Sequence, residues 1–417
     1  MLERGSFFKD TRVAQSSEVL DLKINHCLER LDDLLFKKFD SEPNGLLSGS
    51  GGASLYFKYR FLQSGQASFL EQSILILESE IRKTNLNQLE SYLSIGSSSA
   101  SSIWLIDQLI SMKLLDEEES SQSKFWVDLA VESTFLDELE SNRHDLFYGF
   151  IGKGLMAIEH NRRTAEPFII KIVDALLKNI KYDADGGYWM TPKPPYIGTS
   201  HIVNLGIPHG ILGILLFLFK CVDIYDLNPS VKGAIDDVAL WIRNRLTKEN
   251  NLLPYEYSDQ KSGSGNLGWC YGDLGLTYTL FRHYKYSSDE KSLEKANKLL
   301  SRAASREHMQ GVWYYPEFNL YDMCLCHGTS SIMYMYKKIF ELSGNSLAER
   351  ESYKWLNETV NSLEKYFQNI KIIESHQYKN FNTSCSLLNG LSGVGLVLLS
   401  FANPSRTEWD KVLLLDH

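Results

Sequence analysis

Two cysteines and a histidine stand out by where they fall. Cys270, Cys326 and His327 occupy matching positions in consecutive repeats of the chain, each at the point where an apolar, helix-like run begins. Two thiolates and an imidazole are borderline-soft donors that suit Zn²⁺. A Cys2His set with its fourth position open is the arrangement of a catalytic metal, because structural zinc normally closes its shell with four protein ligands. The two cysteines lie about 56 residues apart and no Cys-x-x-Cys occurs. Spacing therefore leaves a plainer alternative open, in which each cysteine is a small buried apolar residue.

The elements that would position these residues emerge when the glycines are aligned. Clusters occur at Gly49–Ala53, Ile95–Ser99, Tyr148–Gly154, Gly206–Gly210, Gly268–Gly275, Cys326–Gly328 and Asn389–Gly395, roughly 45 to 65 residues apart. Most lead straight into an apolar run, such as Leu276–Leu280 or Leu396–Phe401. Between them lie amphipathic stretches: Leu293, Ala296, Leu299, Leu300 and Ala303 share one helical face, as do Ile169, Ile172, Val173, Leu176 and Ile180. Each period reads as an outer, half-exposed helix, a loop, a glycine turn and an inner apolar helix. Such a hairpin cannot bury its apolar face alone, so neighbours must stack. The inner helices are too apolar to line an open concave surface, and neither end carries a polar capping repeat. The expectation is an all-α chain folded as an α/α toroid, a double ring of about seven helical hairpins, spanning residues 1–417 as one domain.

Composition narrows the function. The 417 residues are 43% hydrophobic and 23% charged, with a formal net charge of −9, ordinary for a globular protein and lacking the basic surface a nucleic-acid binder needs. The most apolar run, Ile211–Phe219, is about half the roughly 20 residues of a bilayer span and reads as a buried helix. Met1–Asp10 has no apolar stretch of the secretory type. Six cysteines (Cys27, Cys221, Cys270, Cys324, Cys326, Cys385) are too few for a disulfide scaffold and point to a reducing cytoplasm. Three loops, 185–205, 250–267 and 311–323, each end just before a glycine cluster bearing His or Cys. Parallel inner helices bring them to one end of the ring, the expected active face.

Trp269-Cys-Tyr-Gly272 together with Cys326-His-Gly328 resembles the lanthionine synthetase C-like family, the cyclases of class I lanthipeptide biosynthesis. Pro208-His-Gly210, Asp145-Leu-Phe-Tyr-Gly149 and the seven clusters extend the resemblance over essentially the whole chain. It implies a toroid of seven inner and seven outer helices with one zinc ion near its mouth, held by Cys270, Cys326 and His327. The implied reaction is Michael addition of a peptide cysteine thiol to dehydroalanine or dehydrobutyrine, giving a thioether ring. The substrate would be a dehydrated precursor peptide with its leader, and the partners a dehydratase and an exporter, with peripheral membrane association through that complex. By the same resemblance His209 is the active-site histidine suited to protonate the enolate, Asp145 is the active-site aspartate that orients or charges a neighbouring histidine, and Tyr271 is a weaker candidate for enolate contact or substrate positioning. Taken singly, His209 reads as a hydrogen-bonding residue and Asp145 as a helix cap. Asn266 departs from the pattern, since the family carries a basic residue there, and Asp273-Leu274 stands where a proline is common.

Other readings use the same residues. A glutathione-adding relative would need the same zinc site, although Tyr271 in place of His after the zinc cysteine argues against it. An α/α-barrel glycoside hydrolase would need two carboxylates, Asp145 with Asp273 or Glu317, and leaves the cysteines unexplained. A toroid that holds zinc and binds peptide without turnover is the remaining alternative.

Overall fold

Glycine turns followed by uninterrupted apolar runs produce the innermost layer of the molecule. In the computed structural model, which describes residues 11–83, 95–96, 98–114, 135–192, 201–246, 256–257, 266–375, 383–405 and 407–416, each of the seven clusters opens a helix. These inner helices are Gly51–Ser64, Ser98–Ser111, the first half of Phe150–Asn179, Ile211–Ile224, Asp273–Ser287, Thr329–Ser343 and Leu391–Ala402. They are buried on nearly every face. Every residue from Ile211 to Cys221 is inaccessible or almost so, which is why that run shows no amphipathic period.

Amphipathic helices form the outer layer: Thr11–Lys38, Ala67–Lys83, the second half of Phe150–Asn179, Ser230–Leu246, Glu290–Ala304 and Ser346–Ser375. In Glu290–Ala304 the buried residues Ala296, Leu299, Leu300 and Ala303 form the stripe expected from the sequence, and Asp289 caps the first turn by accepting from the amides of Lys291 and Ser292. Phe150–Asn179 makes its hairpin without a loop. Asn161 leaves helical geometry at φ −157°, ψ 100°, and its side chain accepts from the amides of Arg163 and Thr164 to start the outer half.

The ring closes. Each inner helix packs against the next, and the last, Leu391–Ala402, packs against the first, Gly51–Ser64, with the N-terminal helix Thr11–Lys38 covering the join. The all-α toroid expected from the pattern is the observed fold, with only short two- and three-stranded ribbons among the described residues of the connections. Among the described residues no helix is long and apolar enough to cross a membrane.

Backbone hydrogen bonds tie the glycine turns to one another at one rim. Gly96 donates to Phe147, Leu146 to Pro208, Ile207 to Cys270, Cys270 to Cys326, Cys326 to Leu388 and Leu387 to Leu46, all N–H to carbonyl at 2.8–3.2 Å. Ser101 Oγ, accepting from the Leu46 amide at 3.0 Å, completes the circuit. Contacts this close leave no room for side chains. A Cβ on Gly268 would lie 2.8 Å from His327 Cα in the next turn, and the capping glycines, whose φ values are ordinary, are confined by their own turns: a Cβ on Gly272 would lie 2.0 Å from the Gly268 oxygen.

Gly213 and Gly233 separate space from propensity. Both lie inside helices, where alanine is favoured by ~1 kcal/mol. A Cβ on Gly213 would meet the Ile207 oxygen at 1.9 Å, whereas nothing lies within 4 Å of one on Gly233. Denaturant titration should show Gly213→Ala losing ~1–3 kcal/mol by overpacking and Gly233→Ala gaining ~0.5–1 kcal/mol.

Candidate metal centre and its cavity

Aligned on the capping glycine, the turns share a further pattern. In four of them an Asx or Ser stands six residues before it and its side-chain oxygen accepts the amide two residues on: Asn204 for Gly206, Asn266 for Gly268, Asp322 for Cys324 and Ser384 for Ser386; before Gly149 it is Asp145 that accepts, from the Phe147 amide. These local turns throw the two residues before each capping glycine onto the mouth of the ring. Five such pairs, Phe147–Tyr148, Pro208–His209, Cys270–Tyr271, Cys326–His327 and Leu388–Asn389, line one cavity of about 850 Å³.

Cys270, Cys326 and His327 come together there. Their donor atoms all lie within 4.8 Å of one another. A tetrahedral zinc with Zn–S near 2.3 Å has ligand–ligand edges of about 3.5–3.8 Å, so three donors this close could take up one face of such a shell with side-chain shifts of about 1 Å or less. All three line the cavity, which leaves the fourth direction accessible. Their main chains are held as well, since the Cys270 amide donates to the Cys326 carbonyl and the Cys326 amide to that of Leu388. Of the two thiols Cys270 is the more acidic. A hydrogen bond with Cys326 lowers it against the effect of burial, with help from His327 and Asn266, and the same bond raises Cys326. Burial alone would lower His327, but its contacts with Cys270 and the charge of Asp322 raise it. Cys324, read from the sequence as a spare thiol, forms a second donor group with Asp322 and His327, and burial pushes its pKa up.

His209 lines the same cavity, paired through Nδ1 to Asp145 Oδ2 at 2.6 Å. Asp145 is buried, and its other oxygen accepts the amides of Phe147 and Tyr148 at 2.7 and 2.9 Å. It therefore caps a turn and holds an imidazole at once, which unites its two sequence readings. Tyr148 lies parallel to the His209 ring and Phe147 meets it edge-on. The Tyr271 hydroxyl accepts from Asn204 Nδ2 at 3.0 Å, and burial pushes its pKa up.

Asn266, the departure from the family pattern, has a structural duty. Its oxygen makes the Asx turn, which leaves Nδ2 turned toward Cys270 Sγ at 3.9 Å. No lysine or arginine occurs among the described residues lining the cavity. Of the three loops, 311–323 supplies Gly311, Val312, Trp313, Tyr315 and Asp322 to the wall, with Trp313 63% exposed. The other two meet through pairing of Val203 with Tyr257; residues 193–200, 247–255 and 258–265 lie outside the described residues. His283 is a buried structural residue bonded to Ser292 and Asp236, His201 pairs with Pro192 in a short ribbon, and His376 is outside the described residues.

The sequence profile of the lanthionine synthetase C-like proteins matches residues 6–414. This chain belongs to the lanthionine synthetase C-like family. Its fold is similar to that of nisin cyclase, with a TM-score of 0.69 at 17% identity over 94% of this chain and 96% of that one. An unsaturated glucuronyl hydrolase from Bacillus sp. GL1 (TM-score 0.39, 11% identity, 73% and 86% covered) and an α-1,6-mannanase from Salegentibacter sp. HEL1_6 (0.40, 12%, 91% and 99%) are more distant. No curated protein matches the sequence.

Neither carboxylate that the hydrolase reading pairs with Asp145 lies on the cavity wall. Asp273 is fully buried and paired with Arg302 at 3.0 Å and Arg306 at 3.4 Å, and Glu317 is exposed and absent from the cavity wall. Asp273→Asn should therefore act on stability. Stranding two guanidinium groups costs about 3 kcal/mol, to be read as a lower thermal midpoint with the zinc content of the folded fraction unchanged.

Proposed function

We propose that this chain is a zinc-dependent lanthipeptide cyclase, adding peptide cysteine thiols to dehydroalanine or dehydrobutyrine to form thioether rings. The observation that carries this reading is the convergence of a Cys2His donor set and a His–Asp pair on one cavity. A scaffold that only stored zinc would have no use for the second pair. When bound by Cys270, Cys326 and His327, zinc supplies the acidity that makes a substrate thiol a thiolate near neutral pH.

The chain's own groups account for the remaining proton. Addition of sulfur to the β-carbon moves the π electrons toward the carbonyl, and the α-carbon then takes a proton. His209 bonds Asp145 through Nδ1, so Nε2 is the nitrogen that delivers it, and the buried carboxylate offsets the imidazolium charge before transfer. The thiol loses one proton and the α-carbon gains one, so the sum is an addition of S–H across the double bond. Tyr271, kept protonated by burial, donates to the enolate oxygen, and Asn266 contributes a neutral N–H where a cation is usual in the family. The inner helices begin at this rim, and their N-termini favour the negative charge that develops there.

This chemistry needs a peptide whose serines or threonines have already been dehydrated. A dehydratase must act first, and we place the chain beside it and an exporter in the cytoplasm. All six cysteines are free, consistent with a reducing compartment.

Two single variants divide the two halves of the site. His209→Asn should retain about one zinc per chain by metal analysis, yet cyclise a dehydrated peptide ~10²–10⁴-fold more slowly. Cys326→Ala should lose both zinc and activity. A His209→Asn protein with wild-type turnover would refute the assigned proton donor.

A further inference from the structure

The hole of the ring below the glycine rim is filled by a segment that comes from far away in the sequence. Residues 407–416 turn into the hole of the ring, where Trp409, Val412, Leu413, Leu414 and Leu415 are buried. Their anchors come from successive inner helices. Lys411 pairs with Glu159 at 3.1 Å and Asp416 with Lys220, while the Tyr278 hydroxyl donates to the Leu415 carbonyl at 3.2 Å. Asp410 accepts from the Tyr334 hydroxyl at 2.7 Å and pairs with Lys338 at 3.0 Å. Trp409 stacks on Tyr334 at 5.0 Å. Counted from the start of their helices, Tyr278 and Tyr334 are sixth and Glu159, Lys220 and Lys338 tenth. At 1.5 Å per residue the segment crosses the lumen about 8–14 Å beneath the glycine rim.

One bond joins this segment to the site. The Trp269 indole N–H donates to the Leu413 carbonyl at 3.1 Å. Trp269 is the residue before Cys270, its amide is held by Ser331 Oγ at 2.8 Å, and Ser331 donates onward to the Cys326 carbonyl at 3.2 Å. Its ring also lies 5.8 Å from that of Phe147, the residue that meets His209 edge-on. Trp269 thus lies beneath both the metal-binding and the proton-donating halves of the cavity.

We propose that residues 407–416, acting through Trp269, are a positioning element for the active site: they set the height of the Cys270 turn against the Cys326 turn and against His209. The inner helices alone leave the lumen open, and a turn lying over an open lumen has nothing below it to fix that height. The effect on turnover rests on the cyclase reading, whereas the coupling itself does not.

The test uses the full chain with two conservative substitutions. Trp269→Phe removes the indole N–H together with the five-membered half of the buried ring, and Tyr334→Phe removes a bond to Asp410 from a hydroxyl that does not line the cavity. Hydrogen exchange of the segment 266–272, including the Cys270 amide bonded to Cys326, should quicken about tenfold in both variants while outer helix Ser346–Ser375 keeps its protection. Cobalt(II) loaded in place of zinc should show a shifted visible spectrum in both, with metal affinity weakened about tenfold. Exchange and spectrum unchanged in both variants would overturn the proposal. So would a change confined to Trp269→Phe, because Trp269 would then be a local packing residue without help from the segment. If Trp269→Phe fails to fold, Tyr334→Phe alone decides. Failure of the wild type to take up cobalt would count against the metal reading, and the exchange data would still judge the coupling.

Discussion

The close approach of one glycine turn to the next governs this molecule. Six backbone hydrogen bonds link successive turns and Ser101 Oγ supplies the seventh link, and the turns approach so closely that a Cβ on Gly206 would lie 2.9 Å from the Cys270 oxygen and one on Gly268 2.8 Å from His327 Cα. Backbone groups buried at the rim must find partners, and here they find them between repeats. The inner helices start where these bonds place them, the ring closes because the last turn bonds to the first, and side chains just before the capping glycines are presented together. A candidate metal-donor set drawn from residues 56 positions apart in sequence becomes local because their main chains are directly bonded.

The same constraint explains how one scaffold carries several chemical roles. At the two positions before the capping glycine, successive turns offer Phe-Tyr, Pro-His, Cys-Tyr, Cys-His and Leu-Asn. The ring holds these positions in fixed relation while their identities vary, so donors and acid–base groups can be exchanged without refolding the framework. Asn266 shows the limit of that freedom. It keeps the turn-making oxygen that Asn204, Asp322 and Ser384 also provide, so the turn constrains what this position can offer the cavity.

Much of the fold was legible in the chain because it repeats. The glycine clusters, the apolar run at Ile211–Phe219 and the stripe along Glu290–Ala304 each announced an element, and the Cys270, Cys326, His327 grouping followed from their place in the repeat. Less visible was whatever depended on contacts between distant residues. The 2.6 Å bond from Asp145 to His209 crosses 64 positions, and no local pattern encodes it. The Asx signal before each turn was present but spread over residues of different type. Nothing in Glu408–Asp416 marked it as filling the lumen, because its partners Glu159, Lys220, Tyr278 and Lys338 come from four separate helices. The kink at Asn161 was hidden for a different reason: a single polar residue there does the work of a loop.

The central claim is that neighbouring glycine turns assemble an open Cys2His zinc centre. X-ray absorption at the zinc edge of the purified protein tests it most directly. The account predicts two sulfur ligands and one imidazole, with a remaining light-atom position that exchanges with added ligand. A shell closed by a third protein sulfur, with Cys324 the nearest candidate, would contradict it, as would a protein that cannot be loaded with zinc at all.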